Sequence, residues 1–430
     1  MKLIAAFAVS VSLALGAGAS ARAQVASQAY EQPPRVKLDD VLPPRVKQSG
    51  HHRVSDEVTT LGNMLGFRLE STQGDYQVLS LAMLLERVHE VLVLAQAVDD
   101  YQRNNQQLAA ELRGVMQVGG DSAMDILTSP IKTTGSLVNQ FFVHNIGDTL
   151  EELGNISDPN VRRVRDPEAR IEKIDYESYQ PEDPVLAAHK RSVAAHLDLD
   201  VYSTNPRVQA FLDTLAYART SGNRSAGMAT LSLPRGVEVR IANGRIANDI
   251  RNIVSRDTIR DLYKRNTATL LEAGVPEELV HGFLTHGAFS PRHSTEVSEY
   301  LAFLDGTANR GALLESALGA VNEDDALAVV RMARMLARYH ESVAPLRALV
   351  ASASVVIASA GDKDMAVVLP FDLLYWNEQT DKVFSRLEEF ANRKGLGKRD
   401  LLLGGVISET ATRQLARRGF RLHPRFLFVQ

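Results

Sequence analysis

The chain has 430 residues, with 48 Lys and Arg against 52 Asp and Glu, 45% hydrophobic and 23% charged residues, and no cysteine. These values exclude collagenous, disulfide-framework and wholly disordered classes, and leave room for two or three domains that each bury a core. A net charge of −4 argues against a nucleic-acid partner, because neutralising phosphates needs a surplus of Lys and Arg. Without cysteine, disulfides, thiol chemistry and Cys-ligated zinc are closed to the chain.

Residues 1–23 read as a secretory signal. Lys2 supplies the positive start, Leu3 to Ala17 is an uncharged apolar run, and Ala21-Arg22-Ala23 places small residues where signal peptidase reads. Cleavage before Gln24, with a second site after Ala19-Ser20-Ala21, puts the mature protein in the periplasm or outside the cell. No later stretch has about 18 uncharged apolar residues in a row, so no transmembrane segment is expected after cleavage.

Residues 24–55 repeat Pro33-Pro34-Arg35-Val36-Lys37 as Pro43-Pro44-Arg45-Val46-Lys47. Proline pairs favour extended geometry, which predicts a poorly ordered, semi-rigid tether. Residues 56–153 form an N-terminal hairpin plus helices. Phe67 to Ser71 and Tyr76 to Leu79 flank a Gln73-Gly74-Asp75 turn, and helical spacing follows from Leu81 to Tyr101 with a second apolar face at Val91, Leu94 and Val98. Gly119-Gly120 is expected to break the next helix, and Pro130 the one after.

Residues 154–184 hold Pro159, Pro167, Pro181 and Pro184 in a mixed-charge run and read as a linker. A helical domain is expected over 185–349, punctuated by caps at Asn205, before Pro206, and at Asn322, before Glu323-Asp324-Asp325. Residues 350–430 change to a small α/β unit, with strands at Ser354–Ser359, Met365–Leu369, Asp400–Leu403 and Phe420–Leu422 and helices at Asp381–Lys394 and Thr410–Arg417. The fold class is α+β, predominantly α-helical.

His89-Glu90 and His340-Glu341 lack the second histidine of a zinc-peptidase helix, since Val93 and Ala344 stand in its place. His281, His286 and His293 are the densest histidine cluster. The five-residue gap turns His281 and His286 about 140° apart on a helix, so they read as ordinary histidines, with metal ligation the weaker alternative. Asp198 and Asp200 open like a calcium loop but lack its later glycine and glutamate; a turn whose acids bind local amides fits better.

Ser129 and Lys132 match the serine-x-x-lysine of penicillin-binding enzymes without the downstream partner motifs, which leaves them marginal catalytic candidates. No glycine fingerprint for phosphate is present, and no cofactor is expected. Leu137, Val138, Phe141, Phe142 and Ile146 form an apolar stripe whose polar face carries Asp148, Glu151 and Glu152, so it suits packing on the 81–101 helix or a ligand groove better than a lipid surface.

The decapeptide Asp200-Val201-Tyr202-Ser203-Thr204-Asn205-Pro206-Arg207-Val208-Gln209 resembles a segment of a family of secreted proteobacterial proteins of unassigned function, with the pattern D-x-Y-S-T-N-P-x-x-Q. The resemblance extends from about Phe67 to the C-terminal strand. Val201 stands where the family often has proline, and the usual upstream glycine is missing. No function comes with it. The sequence therefore points to a secreted cell-envelope binding protein without catalysis. Its partner would be a protein or an apolar, lipid-like envelope molecule, held in a groove drawn from Phe141, Phe142, Ile146, Tyr202 and Asn205. The alternatives are a periplasmic hydrolase with a dispersed site and a structural scaffold.

Overall fold

The computed structural model describes residues 30–127, 175–176, 181, 183–221, 244–352, 355–361 and 363–427. Among them the fold is mixed α+β and dominated by helices, as the patterning predicts. Two one-turn helices, α1 (Leu38–Val41) and α2 (Pro44–Lys47), lead into β1 (His52–Val54), β2 (Thr59–Leu61), β3 (Met64–Ser71) and β4 (Tyr76–Leu79). The expected β3–β4 hairpin forms, and β3 also pairs antiparallel with β1 and β2. The described part of the tether differs from expectation. Leu38, Val41, Leu42 and Val46 are buried against Leu65, Phe67 and Leu69 of β3, because each Pro-Arg-Val-Lys repeat sits beside apolar residues that a turn of helix gathers on one face.

Ser80 caps α3 (Leu81–Asn104), which is apolar on more than one face and runs through the core. α4 (Gln106–Leu127) continues unbroken over Gly119 and Gly120, where a break was expected. Each glycine costs a helix only about 1 kcal/mol, and α4 is anchored upstream by Leu108, Ala109, Leu112 and Met116 in the core.

The helical region consists of α5 (Pro184–Leu197), α6 (Pro206–Thr220), α7 (Gly244–Arg256), α8 (Ile259–Glu272), α9 (Glu277–Leu284), α10 (Pro291–Phe303), α11 (Ala312–Ala317) and α12 (Glu323–Ser342). Asn205 caps α6 through Arg207 N and Asn322 caps α12 through Asp325 N, both as expected. Pro345 then blocks further helix, so the chain enters β5 (Leu346–Ser352) earlier than the expected limit near Leu349.

The remaining elements are β6 (Val355–Ala360), β7 (Asp364–Leu369), β8 (Leu373–Leu374), α13 (Glu378–Lys394), β9 (Arg399–Leu403), β10 (Val406–Ile407), α14 (Glu409–Arg417) and β11 (Phe420–His423). Five strands form one sheet in the order β11-β9-β7-β6-β5, antiparallel through β5, β6 and β7 and parallel through β7, β9 and β11. Its central strands are near-continuous apolar runs because both faces are covered. Val356, Ala358 and Ala360 join the helical core, while Val355 and Ile357 pack with Phe384, Leu387 and Leu415 of α13 and α14.

A buried carboxylate joins the two ends of the chain. Asp372, fully buried after β7, accepts from Arg331 Nη1 of α12 at 2.8 Å, from Leu65 N of β3 at 3.3 Å and from Leu81 N of α3 at 2.8 Å. Asn63 adds three bonds to the backbone of Asp372 and Leu373. Gly405 passes so close that a Cβ there would lie 1.9 Å from the Asp372 carbonyl oxygen, so only glycine fits without backbone movement. Removing one partner of a buried ion pair costs about 3–5 kcal/mol. Asp372→Ala is expected to lose at least that much in urea denaturation. Adding Arg331→Met should not restore it, because the Leu65 and Leu81 amides stay unpaired; full rescue by the second change would contradict this assignment.

Candidate functional site

One turn of α3, Glu86-Arg87-Val88-His89-Glu90, places four ionisable residues between the apolar runs 81–85 and 91–95 and faces the loop from Asp198 to Asn205. Arg87 and Glu90 are buried and paired, with Arg87 Nη1 at 3.0 and 2.9 Å from the two Glu90 oxygens. Glu90 also accepts from the Ser203 hydroxyl and from Asn205 Nδ2 at 2.8 Å. Arg87 Nη2 donates to Thr204 Oγ1 at 2.9 Å and to Glu323 Oε2 at 3.3 Å. Gln209 Nε2 closes the loop by donating to the carbonyls of Val201 and Ser203. Ser203, Thr204 and Asn205 of the decapeptide are thus spent on docking it against α3.

A second charge cluster lies at the other end of the loop. Arg292 of α10 meets Glu296 at 3.0 Å, Asp200 at 3.6 Å and Glu86 at 3.9 Å, and Arg334 of α12 meets Glu296 at 2.6 Å. Burial pushes the Asp200 carboxyl up, with Arg292 opposing it in part. For Glu296 burial acts in the same sense, but Arg334 and Arg292 override it and hold the group at about 2. Asp200 also accepts from Tyr202 N at 2.9 Å, the local turn expected for these acids, while the Asp198 carboxylate pairs with Arg251 instead.

The junction of β4 and α3 holds the most perturbed carboxyl of this region, that of Asp324. Ser80 has φ 89° and ψ 143°, a conformation costly for a residue with a Cβ. Its hydroxyl caps Met83 N at 3.1 Å and donates to Asp324 Oδ1 at 3.2 Å. Burial first, and then the neighbouring Glu323 charge, raise Asp324 to about 8. A strained serine between strand and helix beside a carboxyl is a layout nucleophiles use, but Ser80 is only 2% exposed and its hydroxyl is committed to the cap.

The residues singled out from the sequence fare unequally. Ser129, Lys132, Phe141, Phe142 and Ile146 lie outside the described residues. Asn205 is fully buried in the Glu90 network, and Tyr202 packs half-buried on the helical core, so neither faces an open groove. His281 Nδ1 sits 3.1 Å from Tyr263 OH, His286 Nδ1 accepts from Ala288 N, and His293 Nδ1 accepts from Ser290 N in the cap of α10. Among the described residues no group of three His, Cys, Asp or Glu is placed to hold a metal ion. An open depression of about 400 Å³ lies elsewhere, on α8, lined by Asp257, Asp261, Lys264, Arg265 and Glu272.

Sequence reasoning missed Glu86, Arg87, Glu90, Arg292, Glu296 and Asp324. The available signal was an Arg and a Glu three apart on a helix, with apolar runs at 81–85 and 91–95 on either side of that turn, which marks a buried pair. The chain matches no family model, no curated protein and no solved structure.

Asp324 makes stability depend on pH. The folded state keeps it protonated up to about 8, whereas an unfolded chain ionises it in the ordinary carboxylate range. Its stabilising contribution is therefore full at acid pH and is lost as pH rises through 8. Between pH 6 and 8.5 the urea midpoint of the native chain is expected to fall more than that of Asp324→Asn, and equal slopes would contradict the assignment.

Proposed function

We propose that the protein acts by binding in the cell envelope, without catalysis, after removal of a signal near Ala23. Its partner is a protein or an apolar envelope molecule. The observation that supports this reading is the saturation of Glu90, whose carboxylate is engaged by Arg87, Ser203 and Asn205 at the heart of the polar seam. Asp400 repeats the pattern in the sheet: Arg421 holds it at 2.8 and 2.6 Å, His423 at 2.9 Å and Tyr339 at 2.8 Å. Burial works to raise its carboxyl, and the bonds from His423, Arg421 and Tyr339 override this and hold it well below the usual range. Carboxylates so occupied rigidify a scaffold and have no free lone pair for proton transfer. No described helix is long and apolar enough to cross a membrane, in keeping with a processed chain that meets its partner in the aqueous part of the envelope.

A hydrolase with a dispersed site is the second reading, and Asp324 favours it, since a carboxyl held at about 8 next to a serine hydroxyl is a proton donor at neutral pH. Native mass spectrometry of protein purified gently from its own envelope separates the two, read against the mass of residues 24–430. The binding reading expects a reproducible added mass. A bare mass, together with labelling of Ser80 by a serine-reactive probe, would replace it with the hydrolase.

A further inference from the structure

β8 and β10 form a two-stranded parallel ribbon, and its carboxyl ends lead into Trp376 and Ser408. Asn377 and Ser408 cap the 17-residue α13 and the 9-residue α14, so two positive helix ends open beside that ribbon. Helix N-termini, with their unpaired backbone N–H groups, favour anions. A carboxylate occupies this place. Glu31 Oε1 accepts from Trp376 N at 2.5 Å and from the Ser408 hydroxyl, and Glu31 N donates to the Trp376 carbonyl at 2.9 Å. Tyr30 OH donates to Asp381 Oδ2 at 3.0 Å. Arg418 stacks over the Trp376 ring at 4.6 Å and pairs with Asp381 at 2.6 Å and Glu388 at 3.5 Å, which walls the outer side.

We propose that this is a recognition seat for the carboxylate of an extended peptide, with the chain's own Tyr30–Glu31 strap as resident occupant, and that release of the strap opens it to a second extended, glutamate-bearing peptide. The strap combines main-chain pairing with one anchored side chain, the manner in which extended peptides add to a sheet edge. Its tie to the rest of the molecule is slight. Gln32, Pro33, Arg35 and Lys37 are exposed, and the next buried anchor is Leu38. Opening therefore breaks a few local hydrogen bonds and leaves the core untouched.

Trp376 is the only tryptophan in the chain and is 2% exposed, so under native conditions its quenching reports opening of the seat. In the full chain, Glu31→Ala is expected to raise acrylamide quenching of Trp376 several-fold and shift its emission to the red. A peptide of residues 26–36 added in trans should reverse both changes, and the same peptide with glutamine in place of Glu31 should not. Quenching unchanged by Glu31→Ala, or rescue that ignores the glutamate, would overturn the proposal. Should that variant fold poorly, the unaltered chain decides by hydrogen exchange: the Trp376 amide is expected to exchange roughly tenfold or more faster than that of Val367 in mid-sheet. Equal rates would mean that the strap leaves only on global unfolding, and the proposal falls. A bare-monomer mass spectrum leaves the seat standing, and an unmoved Trp376 leaves the envelope-ligand reading standing.

Discussion

Asp372 is a carboxylate out of contact with water, held by a guanidinium and two backbone amides that come from three different elements. A charge in that position is tolerated only while all its partners are present, so the partners are obliged to meet. Leu81 N, at the start of α3, has no acceptor within its own helix and donates to Asp372, where an anion is favoured by the helix dipole. Arg331 fixes the rotation of α12 by also donating to the Pro370 carbonyl at 2.7 Å. Once α3 and α12 are set by this one group, Arg87 on the first and Glu323 on the second come together around Thr204. The polar seam is thus a consequence of the joint.

Local rules carried well over local features. The β3–β4 hairpin, the caps at Asn205 and Asn322 and the apolar strands of the final sheet are each decided within a few residues, by turn chemistry, capping geometry and burial on both faces. What stayed hidden depends on distance in sequence. Asn205 is a cap by any local rule, yet its amide also serves Glu90, which lies 115 positions away, and no periodicity encodes that partner. The proline repeats misled for a related reason, since Val46 and Leu38 are buried only because β3 offers them a surface. The candidate site was legible only at Tyr202 and Asn205, because its charged members are scattered over three helices and a loop that tertiary packing alone gathers.

The polar side chains divide into two kinds by what they do. Glu90, Asp372 and Asp400 are saturated by donors of the same molecule and act as rivets, which gives a cysteine-free chain the rigidity that others take from disulfides. Glu31 differs, being half-buried on a strap with exposed residues behind it. Recognition sits more naturally at such a place than in the rivets, since a binding surface must give up its resident partner at small cost.

The central claim is that the Asp372 joint makes the N-terminal sheet, the helical core and the C-terminal sheet unfold as one unit. Urea denaturation of the full chain followed by two probes tests it directly, with Trp376 fluorescence reporting the C-terminal unit and far-UV circular dichroism the helices. The account expects the two curves to coincide at one midpoint. Two separated cooperative transitions, with the main tryptophan change centred at another midpoint than the helical one, would contradict it, whereas release of the strap adds only a gradual change before the shared midpoint.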